Sequence, residues 1–178
     1  MAFIFHPGET AESLLATLRQ NDFWGQIVGP HGSGKSTLLA TLVPQLEEAG
    51  RRVEQFSLHD GQRRLNFDPA DWDVSKQVIV DGYEQLGWLS RRRLKRACTA
   101  CGAGLLVTSH RSVALPPLYS TEVTLSLARQ IVAELLPPRC TLIGEEDVAQ
   151  SLAQHGQNLR EALFSLYDLY EARRQTTG

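Results

Sequence analysis

The stretch that decides the fold is "GPHGSGKST", residues 29–37. It fills the pattern Gly-x-x-x-x-Gly-Lys-Ser/Thr, in which glycines let backbone N–H groups converge on a phosphate chain at a helix N-terminus. The lysine of this pattern reaches the β and γ phosphates, and the hydroxyl that follows it serves Mg²⁺. We therefore predict a nucleotide phosphate site at Gly29, Pro30, His31, Gly32, Ser33, Gly34, Lys35, Ser36 and Thr37.

The residues on either side place this loop between a strand and a helix. Upstream, "FWGQIV" (residues 23–28) is a short apolar run that suits a buried strand. Downstream, one helical stripe is apolar, and Gly50 is placed to end the helix; the stripe is Leu38, Leu39, Leu42, Val43 and Leu46. The motif requires this order of strand, loop and helix, which disfavours a glycine-rich turn without function.

A second candidate segment is "QVIVDGYEQL", residues 77–86. Its β-branched run is typical of a strand that is covered on both faces, and the strand ends in Asp81. A carboxylate at that edge of a parallel sheet can hold magnesium-bound water, so we predict Asp81 as a catalytic and Mg²⁺-binding residue. Gly82 stands where many ATPases have a glutamate, and we predict Glu84 as the activating base. The alternative is a solvent-facing glutamate at the start of the next helix.

Polar residues also end the strand in "GAGLLVTSHRS", residues 102–112. Thr108 is the predicted catalytic sensor of the γ phosphate. His110 is a second candidate, although a lone histidine is more often a surface or satisfied residue. Arg111 is a candidate for contacting the nucleotide of a neighbouring subunit, because arginines supplied in this way stabilise phosphoryl transfer.

The segment between these strands, "SRRRLKRACTACG", predicts a helix with a basic outer face. Its buried face is Leu94, Ala97, Cys98 and Cys101, a spacing that explains the two cysteines without a zinc site. The basic run from Arg91 to Arg96 is interpreted first as a solvated face. Contact with an acidic partner or a phosphate backbone is the alternative, and nucleic acid is not favoured because the net charge is −2.

The ends of the chain predict helices. Thr10 can cap a first helix, and "EVTLSL" (residues 122–127) predicts a further strand that is followed by helix. Two more helices are expected at residues 145–155 and 158–174. We therefore expect a core domain at residues 1–128 and a helical lid or tail at residues 129–178.

Length and composition predict one α/β core in a cytoplasmic protein. The 178 residues can bury one good core, and the three cysteines favour reduced thiols. No apolar run approaches the roughly 20 residues that span a bilayer, and no secretory leader is evident, so no membrane contact is expected.

These motifs resemble those of the P-loop ATPases of the AAA+ and STAND (NACHT-like) branch. "GPHGSGKSTLL" is similar to their phosphate loop, "VIVDGYEQL" to their Walker B element and "LLVTSHRS" to their sensor strand. The resemblance implies a three-layer α/β/α sandwich with a parallel sheet of order 5-1-4-3-2 and a small C-terminal helical lid. It also implies that Arg160, in "GQNLREALFSLYDL", contacts the nucleotide and that partners act in trans.

The leading functional hypothesis is an ATP-binding protein with slow Mg²⁺-dependent hydrolysis that acts as a switch or small motor on a partner. A small ATP-dependent phosphotransferase and a nucleotide-dependent binding module without turnover are the alternatives, and Gly82 motivates the second. A GTPase is disfavoured, since no lysine is followed at the second place by Asp. An ABC-type subunit is disfavoured, because no Leu-Ser-Gly-Gly-Gln-like segment precedes "VIVDG".

Overall fold

The structure, a computed structural model, describes residues 3–59, 61–138 and 140–177, with side chains through residue 175. Helices and strands alternate along the first two thirds of the chain, and helices alone follow. In chain order the elements are α1 (Ala11–Gln20), β1 (Trp24–Val28), α2 (Lys35–Glu48), β2 (Arg52–Ser57), β3 (Lys76–Asp81), a 3₁₀ turn (Tyr83–Gln85), α3 (Trp88–Cys101), β4 (Gly104–Ser109), β5 (Pro117–Ser120), α4 (Leu125–Leu135), α5 (Glu145–Gln154) and α6 (Leu159–Thr177).

The five strands form one parallel sheet in the order β2-β3-β4-β1-β5. Counted from the opposite edge, this is the expected order 5-1-4-3-2. Among the three interior strands, β3 and β4 have the longest apolar runs, and nearly all of their residues are buried. Parallel strands that are covered on both faces need such continuous apolar runs, which is why these two were visible in the sequence.

Side chains that alternate along the strands feed two separate cores. Ile79 and Leu106 point to the face that carries α1 and α2, whose leucines complete the first core. Val78, Val80 and Leu105 point to the opposite face, where α3 and the segment at residues 61–75 cover them. The predicted three-layer α/β/α arrangement is therefore confirmed.

The fifth strand does not lie where the sequence indicated. Residues 122–127 were predicted as a strand, but β5 is Pro117–Ser120 and α4 already begins at Leu125. The Thr124 hydroxyl accepts a hydrogen bond from the Leu127 N–H at 3.1 Å and so caps the helix. Pro117 is tolerated because it is the first residue of an edge strand. The other edge strand, β2, has six residues of which four are polar, and no sequence signal singled it out.

The capping and cysteine predictions are confirmed. The Thr10 hydroxyl accepts from the Ser13 N–H at 3.2 Å at the start of α1. On α3, Leu94 and Cys98 are fully buried, and Ala97 and Cys101 pack against the same core. The apolar face of α3 therefore accounts for both of its cysteines.

The chain divides into two compact units. One contains residues up to 29 together with residues 34–121, and the other contains residues 30–33 together with residues from 122 onward. The predicted boundary after residue 128 falls inside α4. Among the residues that the structure describes, no helix has both the length and the apolar character that crossing a membrane requires.

Candidate functional site

The phosphate loop leaves β1 at Gly29 and enters α2 at Lys35. The Gly29 N–H donates to the Ser109 carbonyl at 3.1 Å, which ties the start of the loop to the end of β4. Gly34 has φ of 91°, a conformation that glycine adopts without steric cost. Lys35 is only 9% exposed, and its ammonium group donates to the Gly29 carbonyl at 2.8 Å. The lysine side chain therefore folds back along the loop.

A hydrogen-bond network joins this loop to the ends of β3 and β4. The Ser36 hydroxyl donates to Asp81 Oδ2 at 2.7 Å, and the Thr108 hydroxyl donates to Asp81 Oδ1. The Thr108 oxygen in turn accepts from the Gly82 N–H at 2.9 Å. Both oxygens of Asp81 are thus engaged, and the carboxylate is fixed beside the first turn of α2.

The backbone at Gly82 explains why no side chain follows Asp81. Gly82 has φ of 84°, and a Cβ there would lie 3.0 Å from the Leu58 carbonyl oxygen. An L-residue would be strained by its dihedral angle and crowded by a backbone atom that cannot move easily. A glutamate cannot take this position without rearrangement of the strand end.

Glu84 lies in the 3₁₀ turn after β3 and does not open the next helix, which begins at Trp88. Its Oε1 is 3.2 Å from His110 Nδ1, and its side chain is 26% exposed. Its other oxygen, Oε2, is buried and has no hydrogen-bond partner among the described residues. The Glu84 side chain is therefore only partly exposed and contacts His110.

Tyr83 separates this polar region from the second core. It is 1% exposed, and the Arg91 guanidinium lies 5.1 Å from the centre of its ring. Burial raises the pKa of the Tyr83 phenol to about 12, although the charge of Arg91 acts in the opposite direction. Tyr83 stays neutral at physiological pH and serves as core.

Within the second unit, residues 30–33 lie against the start of α6. The Ser33 hydroxyl donates to the Pro30 carbonyl at 2.8 Å. A Cβ on Gly32 would meet Asn158 Oδ1 at 1.9 Å and the Arg160 backbone nitrogen at 3.2 Å. The Arg160 side chain is exposed. Asn158 was not singled out by sequence reasoning, although its place before an apolar helical stripe is a capping signal.

The oxygens at this site suit a magnesium ion. A hydroxyl and a carboxylate at hydrogen-bond distance, Ser36 and Asp81, are the hard ligands that Mg²⁺ prefers, and nucleotide phosphates and waters complete its shell in such sites. Among the described residues no group of three or more His, Cys, Asp or Glu is arranged to hold a metal ion.

Sequence reasoning also missed an aromatic cluster beside the loop. The Phe3 ring lies 3.3 Å from where a Cβ of Gly34 would be, and it packs edge-on against Phe5 and Tyr119. Phe3 and Phe5 near the start of the sequence were a signal, but Tyr119 comes from β5 and is brought near only by the fold.

No protein-family model matches the chain. A probable ABC transporter ATP-binding protein of Cyanophora paradoxa is 28% identical over an alignment of 93 residues that covers 47% of this chain and 38% of that protein. The zinc transport system ATP-binding protein TroB of Treponema pallidum is 36% identical over an alignment of 75 residues that covers 36% of this chain and 28% of that protein. The chain therefore matches less than half the length of these relatives. The expectation that it is not an ABC subunit stays a prediction.

Solved structures resemble the chain over most of its length. A DNA replication initiation factor has a TM-score of 0.59 and 14% identity, covering 98% of this chain and 66% of that one. AMPPCP-bound DnaA from Aquifex aeolicus has the same TM-score and identity and covers 93% and 62%. NtrX from Brucella abortus in complex with ADP has a TM-score of 0.53 and 12% identity, covering 89% and 48%. With the parallel sheet, these findings show that the chain has the fold of the P-loop NTPases.

Proposed function

We propose that the chain binds ATP with Mg²⁺ at residues 29–37 and hydrolyses it slowly, as a switch or small motor that acts on a partner protein. The observation that carries this proposal is the bond between Ser36 and Asp81, which joins the phosphate loop to the acidic strand end. A metal-bound nucleotide needs a hydroxyl and a carboxylate at such a junction. The matches to ATP-binding proteins and to nucleotide-bound structures support nucleotide binding.

Each residue has a proposed role. Lys35 binds the β and γ phosphates, Ser36 and Asp81 hold Mg²⁺, and the backbone amides of residues 29–37 surround the phosphate chain. Thr108 orients Asp81 through its hydroxyl. Magnesium, when bound, neutralises charge that develops on the phosphates. Arg160 is proposed as a further nucleotide contact, because it stands in the first turn of α6.

Glu84 is proposed to activate the attacking water. Its buried, unpartnered Oε2 supports this role, since such an oxygen can accept a proton from a water molecule. We also propose that the core domain ends before α4 and that α4 to α6 form the lid, which moves the boundary from residue 128 to residues 121–122.

Nucleotide binding is tested with Lys35→Ala. Removal of the buried ammonium should weaken ATP affinity by at least about 100-fold, since charge-assisted bonds to phosphate are roughly twice as strong as neutral ones. Isothermal titration with Mg-ATP measures the loss, and Lys76→Ala, which changes a lysine at the start of β3, is the control. Equal ATP affinity of Lys35→Ala and the wild type would contradict the assignment.

A binding module without turnover is the second candidate, and the pairing of Glu84 with His110 favours it. A base that is held by a histidine does not activate water while the pair persists. Single-turnover measurements at saturating Mg-ATP separate the candidates. Inorganic phosphate supports the ATPase, phosphate only on an added acceptor supports a phosphotransferase, and intact ATP supports the binding module.

A further inference from the structure

A surface groove runs along α3, and we refer to it as the α3 groove. It is a depression of about 710 Å³ between the outer side of α3 and the loop that follows β4. Trp88, Arg92 and Arg96 line it from the helix, and Val113 and Ala114 line it from the loop. All of these residues belong to the first compact unit.

Two basic side chains build the walls of the α3 groove. Arg91 donates to the carbonyl oxygens of Glu84 and Leu86, both at 2.8 Å, and the Lys95 ammonium donates to the Ala114 carbonyl at 2.8 Å. Burial, followed by the charge of Arg91, lowers the pKa of Lys95. These bonds fix the helix to both neighbouring loops, so the groove is formed before any partner binds.

The other groups of the groove face outward. Trp88, Arg92 and Arg96 are spaced i, i+4, i+8, which places them in one row along the helix. Trp88 is 67% exposed, and both arginines are exposed. Neither arginine forms a hydrogen bond or ion pair with any residue that the structure describes, and the described lining contains no acidic residue. The groove therefore presents an indole and two unneutralised guanidinium groups to solvent.

We propose that the α3 groove docks an acidic segment of a partner protein. An apolar side chain of that segment packs on Trp88, and its carboxylates pair with Arg92 and Arg96. Exposed tryptophan and arginine are the residues that contribute most to protein interfaces, and arginine clusters recognise acidic motifs. The inference goes beyond the proposed nucleotide function, because none of these three side chains contributes to the phosphate site.

A protein segment fits the groove better than a nucleic acid. Single-stranded nucleic acids bind to a series of aromatic platforms along a basic track. Here Trp88 is the exposed aromatic of the described lining, since Tyr83 is 1% exposed. The net charge of −2 also gives no long-range attraction for a polyanion, so recognition must depend on the local pairing of a few carboxylates.

The test is selection of a displayed library of random peptides, each about 16 residues long, on the wild-type chain. We expect enriched peptides to combine several Asp or Glu residues with an apolar residue. Fluorescence anisotropy of the labelled peptides then measures affinity. Arg92→Glu/Arg96→Glu should weaken binding at least about tenfold, and Trp88→Ala about fivefold.

The matched control is Arg19→Glu/Arg64→Glu, which reverses two exposed arginines outside the groove and should leave peptide affinity unchanged. Thermal unfolding and Mg-ATP affinity check that each variant is folded. If Arg92→Glu/Arg96→Glu is unstable, Arg92→Ala/Arg96→Ala is used in its place. Enrichment of neutral or basic peptides, no enrichment, or binding that survives the charge reversal overturns the proposal. Binding of labelled oligothymidylate that requires Arg92 and Arg96, without acidic peptides, assigns the groove to nucleic acid and also overturns it.

Discussion

Asp81 is the residue on which the candidate site is centred. Its two oxygens accept from Ser36 and Thr108, so one carboxylate connects the first turn of α2 with the ends of β3 and β4. The orientation of this carboxylate is fixed before a metal ion or nucleotide binds. A side chain that is already ordered loses less conformational freedom on binding. The substitution that tests this arrangement best is at Thr108, because its hydroxyl serves both Asp81 and the Gly82 N–H.

Thr108→Val removes that hydroxyl with little change of shape. The half-buried Gly82 N–H loses its acceptor, so we expect a loss of about 1 kcal/mol in the free energy of unfolding. Urea unfolding at pH 7 measures the change, and Mg-ATP affinity should fall as well, because Asp81 is less firmly held. Thr108→Ser keeps the hydroxyl and is the matched control. Equal stability of the two variants would show that the network contributes nothing.

Glu84 and His110 give a second prediction at the residue scale. Glu84→Gln should keep ATP binding and stop hydrolysis, because an amide cannot take a proton from water. His110→Ala should release Glu84 from its contact with the imidazole and raise the single-turnover rate about threefold to tenfold. His155→Ala, a histidine of the second unit, serves as control. Hydrolysis by Glu84→Gln at the wild-type rate would assign the base to another residue.

At the scale of elements, α3 combines an inert buried face with a charged outer face. Cys98 is fully buried, and burial, followed by the neighbouring Cys101, raises the pKa of its thiol to about 12. Arg92 and Arg96 of the same helix are exposed on its outer side. One helix therefore covers the second core and also lines the α3 groove.

The raised pKa of Cys98 predicts its reactivity. Only the thiolate is alkylated, so Cys98 should resist iodoacetamide at pH 8 in the folded protein. Cys140, which is half-buried, should react, and all three cysteines should react in urea. The folded protein should also lose stability as the pH rises above 9.0, the ordinary pKa of a cysteine thiol. The reason is that the thiol of the unfolded chain ionises at a lower pH than the buried thiol of the folded protein. Mass spectrometry counts the alkylated cysteines, and fast native labelling of Cys98 would refute its burial.

At the scale of the whole molecule, the chain folds as two compact units, each with its own stabilising contacts. In the second unit, Asp147 accepts from the Gly144 N–H at the start of α5 and from two nitrogens of Arg173 on α6. Arg173 also donates to the Leu142 carbonyl at 2.6 Å. This pair therefore connects α5, α6 and the segment before α5.

Arg173→Leu should lower the urea midpoint of the second unit at pH 7. Hydrogen bonds from Arg173, and then from the Gly144 N–H, lower the pKa of Asp147 below its ordinary value of 3.8. A carboxyl of lowered pKa stabilises the fold above that value and stops doing so as the pH falls through the folded-state pKa. The difference from the wild type should thus disappear in strong acid. Arg174→Leu, whose partner Glu171 is one turn away, should have a smaller effect at either pH; a larger one would contradict the prediction.

The sequence predicted those parts of the fold whose signals are local. Such local signals are the apolar runs of β3 and β4, the Thr10 cap and the buried face of α3. Each of them depends only on residues that are close together in the sequence. The edge strands β2 and β5 were missed or misplaced because an edge strand needs few apolar residues and tolerates proline. Their position follows from pairing with strands that are far away in sequence.

The candidate site also has parts that local sequence signals predicted and parts that depend on tertiary contacts. By itself the sequence determined the phosphate loop, the strand that ends in Asp81 and the parallel α/β class, because glycine spacing and apolar periodicity are properties of short segments. Only the tertiary structure decided that Thr108 holds Asp81, that Gly82 excludes a side chain and that His110 pairs with Glu84. These contacts join residues at or just after the ends of different strands, and their distances are set by packing of the sheet, which no local pattern records.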